Sequence, residues 1–253
     1  MPYEEHRVFE TPERSASLWR YTSLVKLLDV LTSESLFFAR CDKLNDLHEG
    51  AIGRATFDLQ RARLEEMRIA IGSPNMNADR IVESYTEMRV QQRKHVAVSC
   101  WHQADAESAA MWSLYGPSEG GVAIQTTVGR LADSFQDARP IFIGAVRYID
   151  YNAEPMDVAN VFRPFVRKRK SFEHEHEVRA VISGFAAVGA DFAAESFKGN
   201  GERVRVNLAT LVEAIYISPG SPVWIEETVR EVLQRLGVGD IVHRSAIDDP
   251  AIF

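Results

Sequence analysis

The sequence predicts an α+β domain with a mixed central sheet and an inserted helical hairpin, and three observations lead there. Short apolar runs such as "HVAVSCW" and "GVAIQTT" are interleaved with helical periods, but without the regular alternation of βαβ units. Residues 51–93 form a long charged stretch of helical character. The 253 residues suffice for one large core, burying roughly 70–75% of the unfolded surface. No linker, low-complexity tract or internal repeat divides them, so we expect a single domain over 1–253 with 51–93 as an insertion.

Each element has a local reason. In "YTSLVKLLDVLTSESLFFAR", Thr22 or Ser23 is a suitable helix cap, and Leu24, Leu27, Leu28 and Leu31 fall on one face. Leu36 to Arg40 then runs extended, and "CDKLNDLHEG" is a polar loop closed by glycine. Helices are expected at about 51–71 and 78–93, broken by "GSPNMN", whose glycine and proline stop helices. "HVAVSCW" reads as a buried strand. Asp105 can cap the short helix "AESAAMWSLYG", which Gly116 ends.

"GVAIQTT" and "IFIGAVRYIDY" read as strands around a helix near 128–136, and another helix is expected at about 155–167. Further strands fall at 177–183, 203–208 and 212–217. In the last helix Ser221 caps, Pro222 takes the first helical position and Gly237 stops the chain. Ile225, Val229, Val232, Leu233 and Leu236 form its buried face.

Composition narrows the function classes. No run approaches the ~18 apolar residues of a membrane span, and the acidic N-terminus lacks a secretory pattern, so a cytoplasmic protein with no membrane partner is expected. Cys41 and Cys100 belong to no CxxC pair and read as buried free thiols. A net charge of −7 argues against broad contact with a phosphate backbone. The run "RPFVRKRK" puts five cations in eight residues and reads either as a solvated helix end or as an anion contact.

The densest chemistry lies in "KSFEHEHEVRAVIS", residues 170–183. An extended chain over 173–181 would put Glu173, Glu175, Glu177 and Arg179 on one face, toward solvent or a cleft. His174 and His176 would then share the core-facing side with Val178 and Ala180. An H-x-H pair suggests a metal, yet Ala180 and Val181 stand where a cupin-like site wants a further glutamate, so we expect no metal. No GxSxG elbow or phosphate loop is present. Two readings remain: charges that solvate a strand end, or a carboxylate that holds a sugar hydroxyl while positive charge grows at an anomeric carbon.

Three blocks carry a resemblance: "LWRYTSLVKLLDVLTSESLFFARCDKLNDLHEG", "VSCWHQADAESAAMWSLYGPSEGGVAIQTT" and "KSFEHEHEVRAV". With the tail "VEAIYISPGSPVWI", they resemble the bacterial family called domain of unknown function 2971 over most of the chain. Their order is also similar to the ADP-ribosyltransferase fold. That resemblance implies NAD as a substrate and an unknown protein or nucleic-acid acceptor. It places Arg20, Tyr21 and Thr22 in the first motif, Ser99 and Trp101 on the middle strand, and Trp112 and Tyr115 as a nicotinamide shelf. Glu177 is its late-strand catalytic carboxylate, with Glu175 completing an E-x-E pair.

The chain departs from that pattern at Arg20, where many members keep histidine, in the missing S-T-S triplet after Ser99, and in the segment 51–93. Trp101, Trp112 and Tyr115 read equally as core aromatics, and Arg20 as a partner of Glu49 or Asp46. The alternative function is a catalytically silent module that binds a nucleotide, a nucleic acid or a protein in a stress or phage-defence system.

Overall fold

The computed structural model describes residues 2–117, 120–185 and 196–252. It is α+β, with a mixed, largely antiparallel central sheet. The chain begins with β1 (Ser17–Ser23), α1 (Leu24–Ser33) and β2 (Ser35–Arg40). The Ser23 side chain caps α1 by accepting from the Lys26 amide, one of the two caps expected. Next come α2 (Arg54–Ala70) and α3 (Ala78–Gln92), the expected hairpin with slightly shorter ends. β3 (Val96–Gln103), α4 (Ala109–Tyr115), β4 (Gly121–Thr127), α5 (Val128–Ser134), β5 (Ile141–Ala145) and β6 (Arg147–Ile149) follow. The rest is β7 (Arg167–Arg169), β8 (Glu177–Ser183), β9 (Gly201–Arg205), α6 (Leu208–Leu211), β10 (Ala214–Ile217), α7 (Val223–Arg235) and β11 (Val242–Arg244).

Among the described residues the main sheet runs β11-β10-β4-β1-β3-β8-β5, with β2 and β9 branching from the first half of β3. Its ladders are antiparallel apart from β10 with β11, and β6 and β7 form a separate parallel pair. Because side chains alternate along each strand, the sheet has two chemically different faces. Leu18, Trp101, Val178, Ala180, Ile124 and Ile215 belong to the main core, with Leu27 and Leu31 of α1, Leu131 of α5, and Ile225, Val229 and Leu233 of α7. The opposite face carries Trp19 and Tyr21 with Met111 and Trp112 of α4, and Val98 and Val181 with Phe165 and Val166.

Several local expectations are corrected. Strand β8 begins at Glu177, not at 173, because residues 170–175 wind into a 3₁₀ turn that ends at His176 with φ 38°. Glu173, His174 and His176 are therefore exposed, and the histidines do not face the core. No α-helix forms over 155–167; that segment is irregular, closes in a 3₁₀ turn at Arg163–Val166 and leads into β7. The run "RPFVRKRK" is thus not a solvated helix end, since Arg167 and Lys168 are buried.

Ser108 rather than Asp105 caps α4, accepting from the Met111 amide. The Ser221 cap moves by one residue, because Pro222 holds extended backbone and Val223 starts α7. Leu236 is exposed where a core residue was expected, whereas Gly237 with φ 69° ends the helix as expected. β9 starts two residues before the expected strand, and Cys100 is only partly buried while Cys41 is fully so.

Candidate functional site

The His176 turn decides the chemistry at the head of β8. A residue in the left-handed region between them stops Glu175 and Glu177 from being simple strand neighbours, so both carboxylates reach the same cation. Lys168 Nζ lies 2.5 Å from Glu175 Oε2 and 3.3 Å from Glu177 Oε2. Glu49 Oε1 is 3.7 Å away, and Nζ also sits 4.7 Å from the Phe172 ring centre.

Arg179, two residues along β8 and fully buried, forms a two-point pair with Glu177 through Nε and Nη2 at 2.7 and 2.9 Å. Its Nη1 and Nη2 donate to Glu49 at 2.7 Å each, and Nη1 also donates to the Phe165 carbonyl at 2.8 Å. Glu49 arrives there because Gly50 turns the chain at φ 68°, where a side chain would collide with the Phe165 ring.

The electrostatics follow from this pairing. Burial alone would raise the Glu177 carboxyl, but Arg179 and Lys168 outweigh it and hold the group at about 2. Burial disfavours the Lys168 ammonium, yet Glu177 and Glu175 keep its pKa above the ordinary lysine value. Arg179 is pushed up by Glu177 and Glu49 against the burial that lowers it. Glu177 is therefore an ionised, fully answered anchor.

The network reaches the surface at one residue. Tyr115 is half exposed, and its phenol donates to Glu175 Oε1 at 2.6 Å. Burial of the ring and the Glu175 bond both raise the phenol's pKa, so it keeps its proton. His102 lies against the Glu175 backbone, with Nδ1 2.7 Å from its carbonyl oxygen, which makes Nδ1 the protonated nitrogen. Burial lowers the His102 pKa and favours the neutral ring. Tyr115 also forms one wall of a crevice of about 380 Å³, together with Tyr21, Thr22, Ser23, Lys26 and Leu114.

The nine site residues expected from the sequence are divided by the sheet. Arg20, Ser99 and Trp101 lie on the helix-covered face: Arg20 Nη1 donates to Ser99 Oγ at 2.6 Å, and its guanidinium sits 5.6 Å from the Trp101 ring. Arg20 pairs with neither Glu49 nor Asp46, which are taken by Arg179 and by Arg169. Tyr21, Trp112, Tyr115, Glu175 and Glu177 gather on the opposite face, and Thr22 reaches the crevice from the end of β1.

Of the aromatics, Trp101 and Trp112 are core residues, at 2% and 6% exposure. Trp112 packs edge-on to Tyr21, and its indole nitrogen donates to Glu107 at 2.8 Å. Only Tyr115 of these three offers an open ring.

Sequence reading missed Glu49, Lys168, His102 and Lys26. Glu49 lies 130 positions from Arg179, and Lys168, only nine residues before Glu177, stands in a basic run whose members no spacing singles out. The one usable signal was Arg179, two residues from Glu177 on the same strand face. Among the described residues no group of three histidines, cysteines or carboxylates has the arrangement of a metal site, and no helix is long and apolar enough to cross a membrane. No family model matches the chain, and no curated protein matches it at a significant level.

Proposed function

We propose that this chain is a nucleotide-binding α+β module whose ligand occupies the crevice between the β1–α1 junction and α4. The observation that carries the reading is the make-up of that crevice. Tyr115 supplies an exposed ring for a base, Thr22 and Ser23 supply hydroxyls for a sugar, and Lys26 supplies a cation for phosphate. Three of the residues that the family resemblance nominates for binding, Tyr21, Thr22 and Tyr115, fall on its wall. The three resembling blocks also converge on one place, since they contribute Glu49, Tyr115 and the Glu175–Arg179 segment to a single network.

A second reading, NAD-dependent ADP-ribosyl transfer to a macromolecule or NAD splitting, is favoured by the bond between Tyr115 and Glu175. It sets a carboxylate directly behind an exposed aromatic ring. In this version Glu175 holds the ribose hydroxyl, and Glu177, saturated by Arg179 and Lys168, positions it through the shared lysine. A stress or phage-defence setting is suggested by the resemblance alone and belongs to the binding-module reading.

One experiment separates the readings. Wild type, Tyr115→Ala, Lys26→Gln and Glu175→Gln are titrated with AMP, ADP-ribose and NAD by thermal shift, then incubated with NAD and cell lysate while nicotinamide is followed by mass spectrometry. A ligand at 100 times its dissociation constant stabilises by about 2.7 kcal/mol. Such a shift, lost in Tyr115→Ala and Lys26→Gln without nicotinamide release, supports the binding module. Release that drops on the order of 10²-fold in Glu175→Gln supports the transferase. Silence of all three nucleotides in both assays rejects both.

A further inference from the structure

A second concavity of about 370 Å³ lies between the helical hairpin and the loop that follows β2, away from Tyr115. Its cations are Arg54, Arg89 and Arg93, its apolar walls include Ile52, Phe57 and Val90, and no aspartate or glutamate lines it. Arg54 has a partner in Asp58, one turn along α2. The other two are different.

Arg89 spends one nitrogen on the Gln60 amide oxygen at 3.0 Å, while its Nη1 is buried. Among the described residues neither this atom nor the buried Nε of Arg93 has an acceptor. Glu49, Asp58 and Glu87 each sit one residue from a lining residue, but Glu49 is engaged by Arg179 and Asp58 by Arg54, and none of the three lines the cleft. A buried guanidinium N–H without a partner carries a desolvation cost that a surface contact does not return. In a chain of net charge −7, three arginines on a cleft whose described lining holds no aspartate or glutamate are a marked local reversal of sign. The first turn of α2, which borders the cleft at Gly53, adds to it: no side chain caps it and no acidic residue stands in it.

We infer that this cleft is a binding site for a small organic phosphate, with Arg89 and Arg93 taking the phosphate oxygens and Ile52, Phe57 and Val90 taking an apolar or aromatic body. Guanidinium groups suit phosphate because their fixed fork of donors matches its oxygens. A cleft of this volume holds a molecule of about the size of a mononucleotide or smaller. The hairpin 51–93 thereby gains a role, since it supplies both arginines and most of the apolar wall.

The test uses the full chain and two probes, inorganic phosphate and phenyl phosphate, titrated calorimetrically at low salt. Wild type is compared with Arg89→Gln/Arg93→Gln and with Lys26→Gln, all checked for an unchanged circular dichroism melt. The expected result is that phenyl phosphate binds wild type more tightly than inorganic phosphate, weakens as salt is raised, and loses about 10-fold or more in the double arginine variant. Lys26→Gln, which touches only the Tyr115 crevice, is expected to lose any phenyl phosphate bound there and to keep the binding that the arginine variant loses. The inference is overturned by an absence of phenyl phosphate binding at millimolar concentration. It is equally overturned by equal affinity in the double arginine variant, by loss in Lys26→Gln alone, or by phenyl phosphate binding no better than inorganic phosphate. A lone Arg89→Gln variant gives the same readout should the double variant melt early. Because nucleotide binding in the Tyr115 crevice is read through Lys26, failure of either proposal is visible separately.

Discussion

At the head of β8, Arg179 gives hydrogen bonds to Glu177, Glu49 and the Phe165 carbonyl, while under the hairpin Arg89 and Arg93 each keep a buried N–H with no acceptor among the described residues. Both regions bury arginine, but only the first supplies its counter-charges from the chain itself. The difference teaches how to separate architecture from binding. A saturated network holds distant segments in register, here the Glu49 loop, β7 and β8, whereas an unsatisfied cation in a cleft leaves work for something outside the fold.

The sharpest way to break the comparison is at Arg179. Replacing it with methionine leaves Glu177 and Glu49 buried with only Lys168 to share, so Arg179→Met should lose about 3–5 kcal/mol in urea unfolding or fail to fold. A loss below 1 kcal/mol would show that the network is not architectural.

Acid should act next. The folded value of Glu177, about 2, lies below its ordinary 4.5, so its contribution is complete above about pH 4.5 and disappears as the pH falls through about 2. Unfolding free energy should therefore fall by on the order of 3 kcal/mol across that window through this group. Glu177→Gln should flatten the slope, which equilibrium unfolding at a series of pH values will measure.

The smallest effect belongs to the cleft. Arg89→Gln removes a buried N–H with no acceptor among the described residues, which favours the variant, together with the bond to Gln60, which opposes it, so unfolding free energy should stay level or rise by up to about 2 kcal/mol. A loss on the scale of Arg179→Met would mean that the two regions are alike after all.

Much of the element order was legible because it follows from local rules. Ser23 caps α1 through its own side chain, Gly116 and Gly237 end helices, and the β-branched run at 177–183 becomes β8 residue for residue. Some errors are shifts of a cap by a few residues, as at Ser108 and Pro222, and others involve partners outside the local window. Extended backbone over 173–176 was expected, but the chain turns at His176, and Glu175 and Glu177 meet on Lys168 across that turn. Residues 155–167 carry a helical pattern, yet their end is drawn into β7, where Lys168 meets three carboxylates.

The sequence by itself determined an α+β chain with an inserted hairpin, because hydrophobic period, caps and breakers act over a few residues. Only the tertiary structure decided what the charged and aromatic residues are for. Sheet pairing put Arg20, Ser99 and Trp101 on one face and Tyr115, Glu175 and Glu177 on the other, a division set by which strands become neighbours. It also brought Glu49 to Arg179 across 130 positions, and left Arg89 and Arg93 without an acid. Charge pairing is decided by distance in space, and no spacing along the chain encodes that distance.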